Sequence, residues 1–186
     1  MRRLLLVVLT VAVTVGLAGA PASAQTKVRK DKVGEVAADI DVRSAKVQNN
    51  RAAYALTLRF VKVRRGHTAL AAFISPAGEP EAVYVLQVLP TSRGRYSPTL
   101  ERLDLDGDSG LQKVGCPGAA ARGKAGRRGY VRVVVPQSCF GADAGTLVTS
   151  AFSFDGSEGG ILSGKRGDEP YQDDADGLSD ITTRRG

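Results

Sequence analysis

Ala53-Tyr54-Ala55-Leu56-Thr57-Leu58-Arg59-Phe60 places a large apolar side chain at every second residue. Successive side chains of a strand point to opposite faces, so this period of two predicts a β-strand with Tyr54, Leu56, Leu58 and Phe60 on a core. Working outward, Ile40 to Gln48 reads as the preceding strand, with Asn49-Asn50 as the hairpin turn between the two. Leu70 to Ile74 is a short apolar strand closed by Ser75-Pro76-Ala77-Gly78. Ala82 to Leu89 is apolar and rich in β-branched residues, which predicts a central strand buried on both sides. Weaker strands follow over Thr99 to Leu105 and Leu111 to Val114. Tyr130 to Val135 alternates again, with Val131, Val133 and Val135 facing one way, and stops at Pro136, which cannot donate to a ladder. Thr146 to Phe154 completes the set, with Val148, Phe152 and Phe154 on one side.

Beyond residue 24 no stretch holds an i, i+3, i+4 apolar stripe for three turns. Seven or eight short strands separated by turn residues predict an all-β fold, an antiparallel β-sandwich of Ig-like or jelly-roll-like form. A closed β-barrel is the alternative. We divide the chain into a helical signal peptide (1–24), a charged leader (25–35), the sandwich (36–155) and a polar tail (156–186). The leader, with Lys27, Arg29, Lys30 and Lys32, is expected to be frayed or a short edge segment. The tail is expected to be poorly ordered loop with one docked piece, since apolar residues thin out after Asp155.

The first 24 residues supply an address. Arg2-Arg3 precede an apolar run from Leu4 to Ala18, and the segment ends Ala22-Ser23-Ala24. A basic start, an apolar middle and small residues before a cut are the three parts of a secretory signal, so cleavage is expected before Gln25. No second apolar run follows, so the mature chain is expected to lack a transmembrane anchor and to be secreted or extracytoplasmic. An oxidising compartment favours bonding Cys116 to Cys139, the only cysteines; two free thiols are the alternative.

Most catalytic and metal chemistries lack the residues they need here. Two cysteines and one histidine are too few ligands for a Cys/His metal centre. Gly107-Asp108-Ser109-Gly110 resembles the nucleophile segment of trypsin-like proteases, but His67 in Gly66-His67-Thr68-Ala69 lacks that family's setting and lies too close in sequence. No catalytic residue is assigned, and the chain is expected not to be an enzyme. Asp104, Asp106 and Asp108 alternate, yet Ser109 and Gly115 occupy the positions where an EF-hand needs Gly and Glu, leaving a looser calcium turn at most. Asp174-Ala175-Asp176-Gly177-Leu178-Ser179-Asp180 is sharper. It resembles the calcium repeat of thrombospondin type 3 domains, with Gln172 and Thr183 where an Asp and a Glu belong. That resemblance implies calcium on Asp174, Asp176 and Asp180; no other cofactor is expected. Glycan binding is a further alternative, weakened by the lack of Trp; Tyr96 and Tyr171 are the aromatic residues expected to be exposed.

The strongest binding signal is charge. The chain carries 26 basic and 19 acidic residues, a formal +7. Arg122, Lys124, Arg127, Arg128 and Arg132 lie between the cysteines with no acid among them, and Arg59, Lys62, Arg64 and Arg65 form a second cluster. Basic patches attract polyanions. For an exported chain the candidate partners are anionic cell-envelope polymers, lipid head groups and acidic sugars, and nucleic acid is disfavoured. The favoured reading of both stretches is nonetheless ordinary solvated, glycine-rich loops.

Val114-Gly115-Cys116-Pro117-Gly118, the strand Tyr130 to Val135 and Pro136-Gln137-Ser138-Cys139-Phe140-Gly141 together resemble a pattern found in uncharacterised small exported actinobacterial proteins. Those read roughly Cys-Pro-Gly, a Val/Arg strand, then Val-Pro-Arg-x-Cys-Leu-Gly; here Gln137 and Phe140 depart from it. The likeness spans Asp39 to Phe154, includes Asp41-Val42-Arg43, and implies a disulfide-linked β-sandwich with no stated activity. A looser similarity is to DOMON-like sandwiches, which bind sugar or haem. Haem needs axial Met or His ligands, and Met1 lies in the signal while His67 is the single histidine.

Overall fold

The alternating segments pair into two antiparallel sheets that share one core. The computed structural model describes residues 25–79, 81–105, 110–141, 145–158, 172–173 and 180–186. In chain order the strands are β1 (Gln25–Lys30), β2 (Val42–Asn49), β3 (Ala53–Phe60), β4 (Lys62–Val63), β5 (Thr68–Pro76), β6 (Ala82–Pro90) and β7 (Tyr96–Asp104). They continue as β8 (Leu111–Lys113), β9 (Ala120–Lys124), β10 (Gly126–Arg127), β11 (Tyr130–Pro136), β12 (Thr146–Asp155), β13 (Gln172–Asp173) and β14 (Ile181–Arg184). The first sheet has the order β1-β2-β3-β11-β9. The second runs β13-β12-β5-β6-β7-β8, with β14 also on β12, and β4 with β10 makes a small ribbon. The result is an all-β fold with sandwich-like packing. The proposed signal peptide at 1–24 lies outside the described residues.

The alternation in β3 puts Tyr54, Leu56, Leu58 and Phe60 fully inside, and β11 adds Val131, Val133 and Val135. From the facing sheet come Leu70, Ile74, Leu86 and Leu147. Each such side chain contributes roughly 1.5–3 kcal/mol through lost contact with water. Asn50 makes the β2–β3 turn, its side-chain oxygen accepting from the backbone N–H of Ala52 (2.9 Å) and Ala53 (2.8 Å). β6 is central and largely buried on both faces, as its composition implied. At the two edges the sheets touch without sharing a ladder among the described residues, which favours a sandwich over a closed barrel. On one side the Arg184 N–H donates to the Gln25 side chain. On the other, the Tyr96 ring rests on Gly123, where an added Cβ would lie 2.3 Å from the ring.

The structure differs from the sequence reading in the strand count, in β9 and in the face that β12 turns to the core. The strand count exceeds seven or eight, because β4, β10 and β13 are two-residue pairings with no periodicity to read. The leader, expected to be frayed or a short edge segment, is edge strand β1, and β14 is a docked piece of the tail. The segment read as glycine-rich loop holds β9, whose Ala-Ala-Arg-Gly-Lys has no large apolar residue to reveal it. In β12, Phe152 and Phe154 do share a side, but it faces away from the common core. They pack with Ala69, Ala71 and Leu89 in a second cluster, while Leu147 and Ala151 face inward.

Two buried polar links join the sheets. The Tyr54 and Thr149 hydroxyls are 3.1 Å apart, and burial pushes the Tyr54 phenol far above its usual range. The Gln137 amide donates to Asn49, whose own Nδ2 donates to the Thr183 carbonyl at 3.2 Å. Asn49→Ala leaves both neighbours without their partner in a dry site. We expect a loss of about 1–3 kcal/mol, read as a lower urea midpoint; an unchanged midpoint would show that the link contributes nothing.

Cys116 and Cys139 form a disulfide with Cα atoms 5.5 Å apart. It ties the crossover from β8 to β9 to the 3-10 turn Gln137–Phe140 that follows β11. Phe140 from that turn packs edge-on against Tyr54 and Tyr84, so the bridge is seated on the core. No helix among the described residues is long and apolar enough to cross a membrane.

Candidate anion-binding face

Strand order turns scattered charges into a surface. On the side of the first sheet away from the core, register places Lys30, Ser44, Arg59, Tyr130 and Lys124 in one row across β1, β2, β3, β11 and β9. The next row is Val28, Lys46, Thr57, Arg132 and Arg122. A third, Thr26, Gln48, Ala55, Val134 and Ala120, is uncharged. The positive charge therefore fills one end of the face. None of the five strands contains an Asp or Glu. Neighbouring strands are about 4.8 Å apart, so these cations form a continuous patch.

The two basic clusters read from the sequence meet here. Arg122 and Lys124 stand on β9 and Arg132 on β11, while Arg59 lies directly across from Tyr130 on β3. Arg127 pairs with Lys62 in the ribbon, and Arg128 occupies the turn beyond it. Arg64 and Arg65 are the exceptions: Arg64 lies 3.9 Å from the Asp39 carboxylate, and the Arg65 side chain reaches toward Gly94 in the β6–β7 turn. Lys30, Arg43 and Lys46 also belong to the face and were not among the two basic clusters read from the sequence. Their signal was present as basic residues in strands free of acids, but it needs the strand order to be read.

Two features of the patch oppose stability. Arg132 and Arg122 stand directly across from each other, and like charges in that position repel. The Arg132 Nε is buried and has no hydrogen-bond partner. A buried donor left unpaired costs about 1–3 kcal/mol.

The other candidates resolve differently. Asp104 is held by Arg102 at 2.8 Å, so its carboxylate is already committed; Asp106 and Asp108 lie outside the described residues. Asp174 and Asp176 of the proposed calcium run also lie outside them, and Asp180 is exposed with its N–H 3.5 Å from the Ser150 hydroxyl. No cluster of three or more metal-ligating residues occurs among the described residues. His67 sits in a turn, 3.2 Å from Asp155. Burial pushes the Asp155 carboxyl up, but bonds from Ser157 and His67 outweigh it and hold the group below its usual range. Tyr96, expected to be exposed, is instead packed against the core edge over Gly123, which removes it as a sugar-stacking platform. Tyr171 lies outside the described residues.

No protein-family model, curated protein or solved structure matches the chain. The charged face is therefore interpreted on its own chemistry.

Proposed function

We propose that this chain is an exported, non-enzymatic binding module that lays the outer face of its five-stranded sheet on an anionic polymer of the cell envelope. The observation that carries the reading is the Arg132–Arg122 pair: two guanidiniums directly opposite each other on strands that hold no Asp or Glu. A solvated face with no ligand gains nothing from that repulsion, whereas an anion seated between the two arginines relieves it. Guanidinium groups suit this task, because their planar fork matches phosphate and carboxylate oxygens. The signal-like segment at 1–24 supports export, and export favours wall or surface polymers over nucleic acid.

The test is binding of a soluble glycerol-phosphate polymer to the mature chain at graded salt. Neutralising four to six phosphates of a single-chain polymer predicts an affinity loss of roughly 50- to 300-fold between 50 and 200 mM salt. Affinity that salt leaves unchanged would remove the basic face as its cause.

A further inference from the structure

At the charged end of the face, backbone irregularities gather four cations around one pocket. It has a volume of about 480 Å³ and is lined by Lys30, Arg43, Arg59 and Arg128, with Val28 and Val33 as an apolar wall. That volume falls in the range of roughly 300–1,000 Å³ usual for small-molecule sites. Arg43 reaches it through a β-bulge: the register of β2 against β3 slips between Val42 and Ser44, so Arg43 is an extra residue beside Arg59. Bulges re-aim side chains in this way and recur beside functional sites. The Asp31 N–H donates to the Arg43 carbonyl at 3.0 Å, which holds β1 against the bulged segment.

Arg128 reaches the pocket at a conformational cost. Its φ is 54°, in the left-handed region that favours glycine, although Gly126 and Gly129 stand on either side in the same turn. A bulky residue held there is strained, and such strain clusters at binding sites. The turn is fixed by the Arg128 N–H donating to the Val61 carbonyl at 2.9 Å and the Phe60 N–H donating to Gly129 at 3.0 Å.

We infer that this pocket binds a phosphate-ester group, with Arg43, Arg59, Arg128 and Lys30 as its ligands. The inference rests on the polyanion reading and names the group which that face takes. Four cations against the single lining carboxylate, Asp31, exceed what one carboxylate ligand needs. A terminal phosphate monoester, such as the end of a glycerol-phosphate chain, has up to two charges and three acceptor oxygens, against one charge and two free oxygens for the diesters within the chain, and so can engage several guanidiniums at once. Val28 and Val33, 57% and 50% exposed, offer a wall for the carbon skeleton of a polyol. Phe60 also lines the pocket but is fully buried, and two exposed valines are too little apolar surface for insertion into lipid.

The experiment titrates the mature chain with glycerol 1-phosphate, galacturonate, the glycerol-phosphate polymer and phosphatidylglycerol vesicles, following amide shifts and affinity. Glycerol 1-phosphate should shift the amides of Arg43, Arg59 and Arg128 in a saturable way and bind at least 10-fold tighter than galacturonate. Arg43→Gln should weaken it about 10-fold. Arg128→Gly should weaken it similarly while raising the melting temperature by roughly 2–4 °C, because relief of backbone strain stabilises the fold; a purely structural arginine would not separate the two readouts. Arg122→Gln with Lys124→Gln should leave the monomer affinity unchanged and weaken the polymer. No monomer shift at these amides, equal binding of galacturonate, full binding by Arg128→Gly, or retention on vesicles without a monomer response would each overturn the inference. Loss of the pocket signal with polymer binding still sensitive to Arg122 and Lys124 leaves the face reading standing; monomer binding without polymer binding does the reverse.

Discussion

Replacing Lys46, Arg122 and Arg132 together with glutamine is expected to weaken polymer binding about 100-fold without destabilising the protein. The estimate takes roughly 1 kcal/mol for each basic residue set against an anionic surface, so three amount to about 3 kcal/mol. The three occupy one row across β2, β11 and β9, at the centre of the charge and away from the corner pocket. Their removal deletes the Arg122–Arg132 repulsion and leaves the ion pairs at Lys32, Arg64, His67 and Arg102 intact. The melting temperature should therefore hold or rise. Binding and melting measured on the same sample decide the matter: unchanged affinity would contradict the charged face, and a large fall in melting temperature would make these residues structural.

The second large effect is on stability. Reducing the Cys116–Cys139 bond, or replacing both residues with alanine, should cost about 3.5 kcal/mol for the loop of about 24 residues it closes. For a domain of this size that lowers the melting temperature by roughly 7–14 °C. The loss should also be felt at the binding face. The loop between the cysteines contains β9, β10 and β11, so the bridge limits the freedom of the strands that bear Arg122, Lys124 and Arg132. Thermal melts with and without reductant supply the check; a shift under about 2 °C would mean the core alone holds this edge.

The core strands were readable because one physical rule governs them. Where one face is dry and the other wet, apolar residues must recur at every second position, as in Tyr54 to Phe60 and Val131 to Val135. That rule identifies faces but does not say which one meets the partner sheet. Phe152 and Phe154 shared a side as expected, yet both faces of β12 carry apolar residues, and the common core took the side with Leu147 and Ala151. β9 escaped for a related reason: Ala-Ala-Arg-Gly-Lys is short and pairs through backbone bonds rather than large side chains, and the same shortness left Ile-Thr-Thr-Arg of β14 as no more than an unspecified docked piece of the tail.

The binding face was legible only in fragments. Arg59 to Arg65 and Arg122 to Arg132 stood out as separate clusters, because adjacency in sequence is all a single chain displays. The pairing of β11 with β3 joins them, and the pairing of β1 with β2 adds Lys30 and Lys46 from the other end of the chain. Arg43 enters through a bulge, a register slip that no periodicity announces. The unpaired Arg132 Nε is likewise a property of packing, invisible until Thr57 and Arg122 are known to flank it.

Amide chemical shifts recorded while the mature chain is titrated with the glycerol-phosphate polymer test the central claim most directly. Perturbations confined to β1, β2, β3, β9 and β11, centred on Lys46, Arg122 and Arg132 and fading toward Thr26, Gln48 and Ala120, are predicted. Shifts centred instead on β5, β6 and β12 of the opposite sheet, or no shifts at low salt, would contradict it.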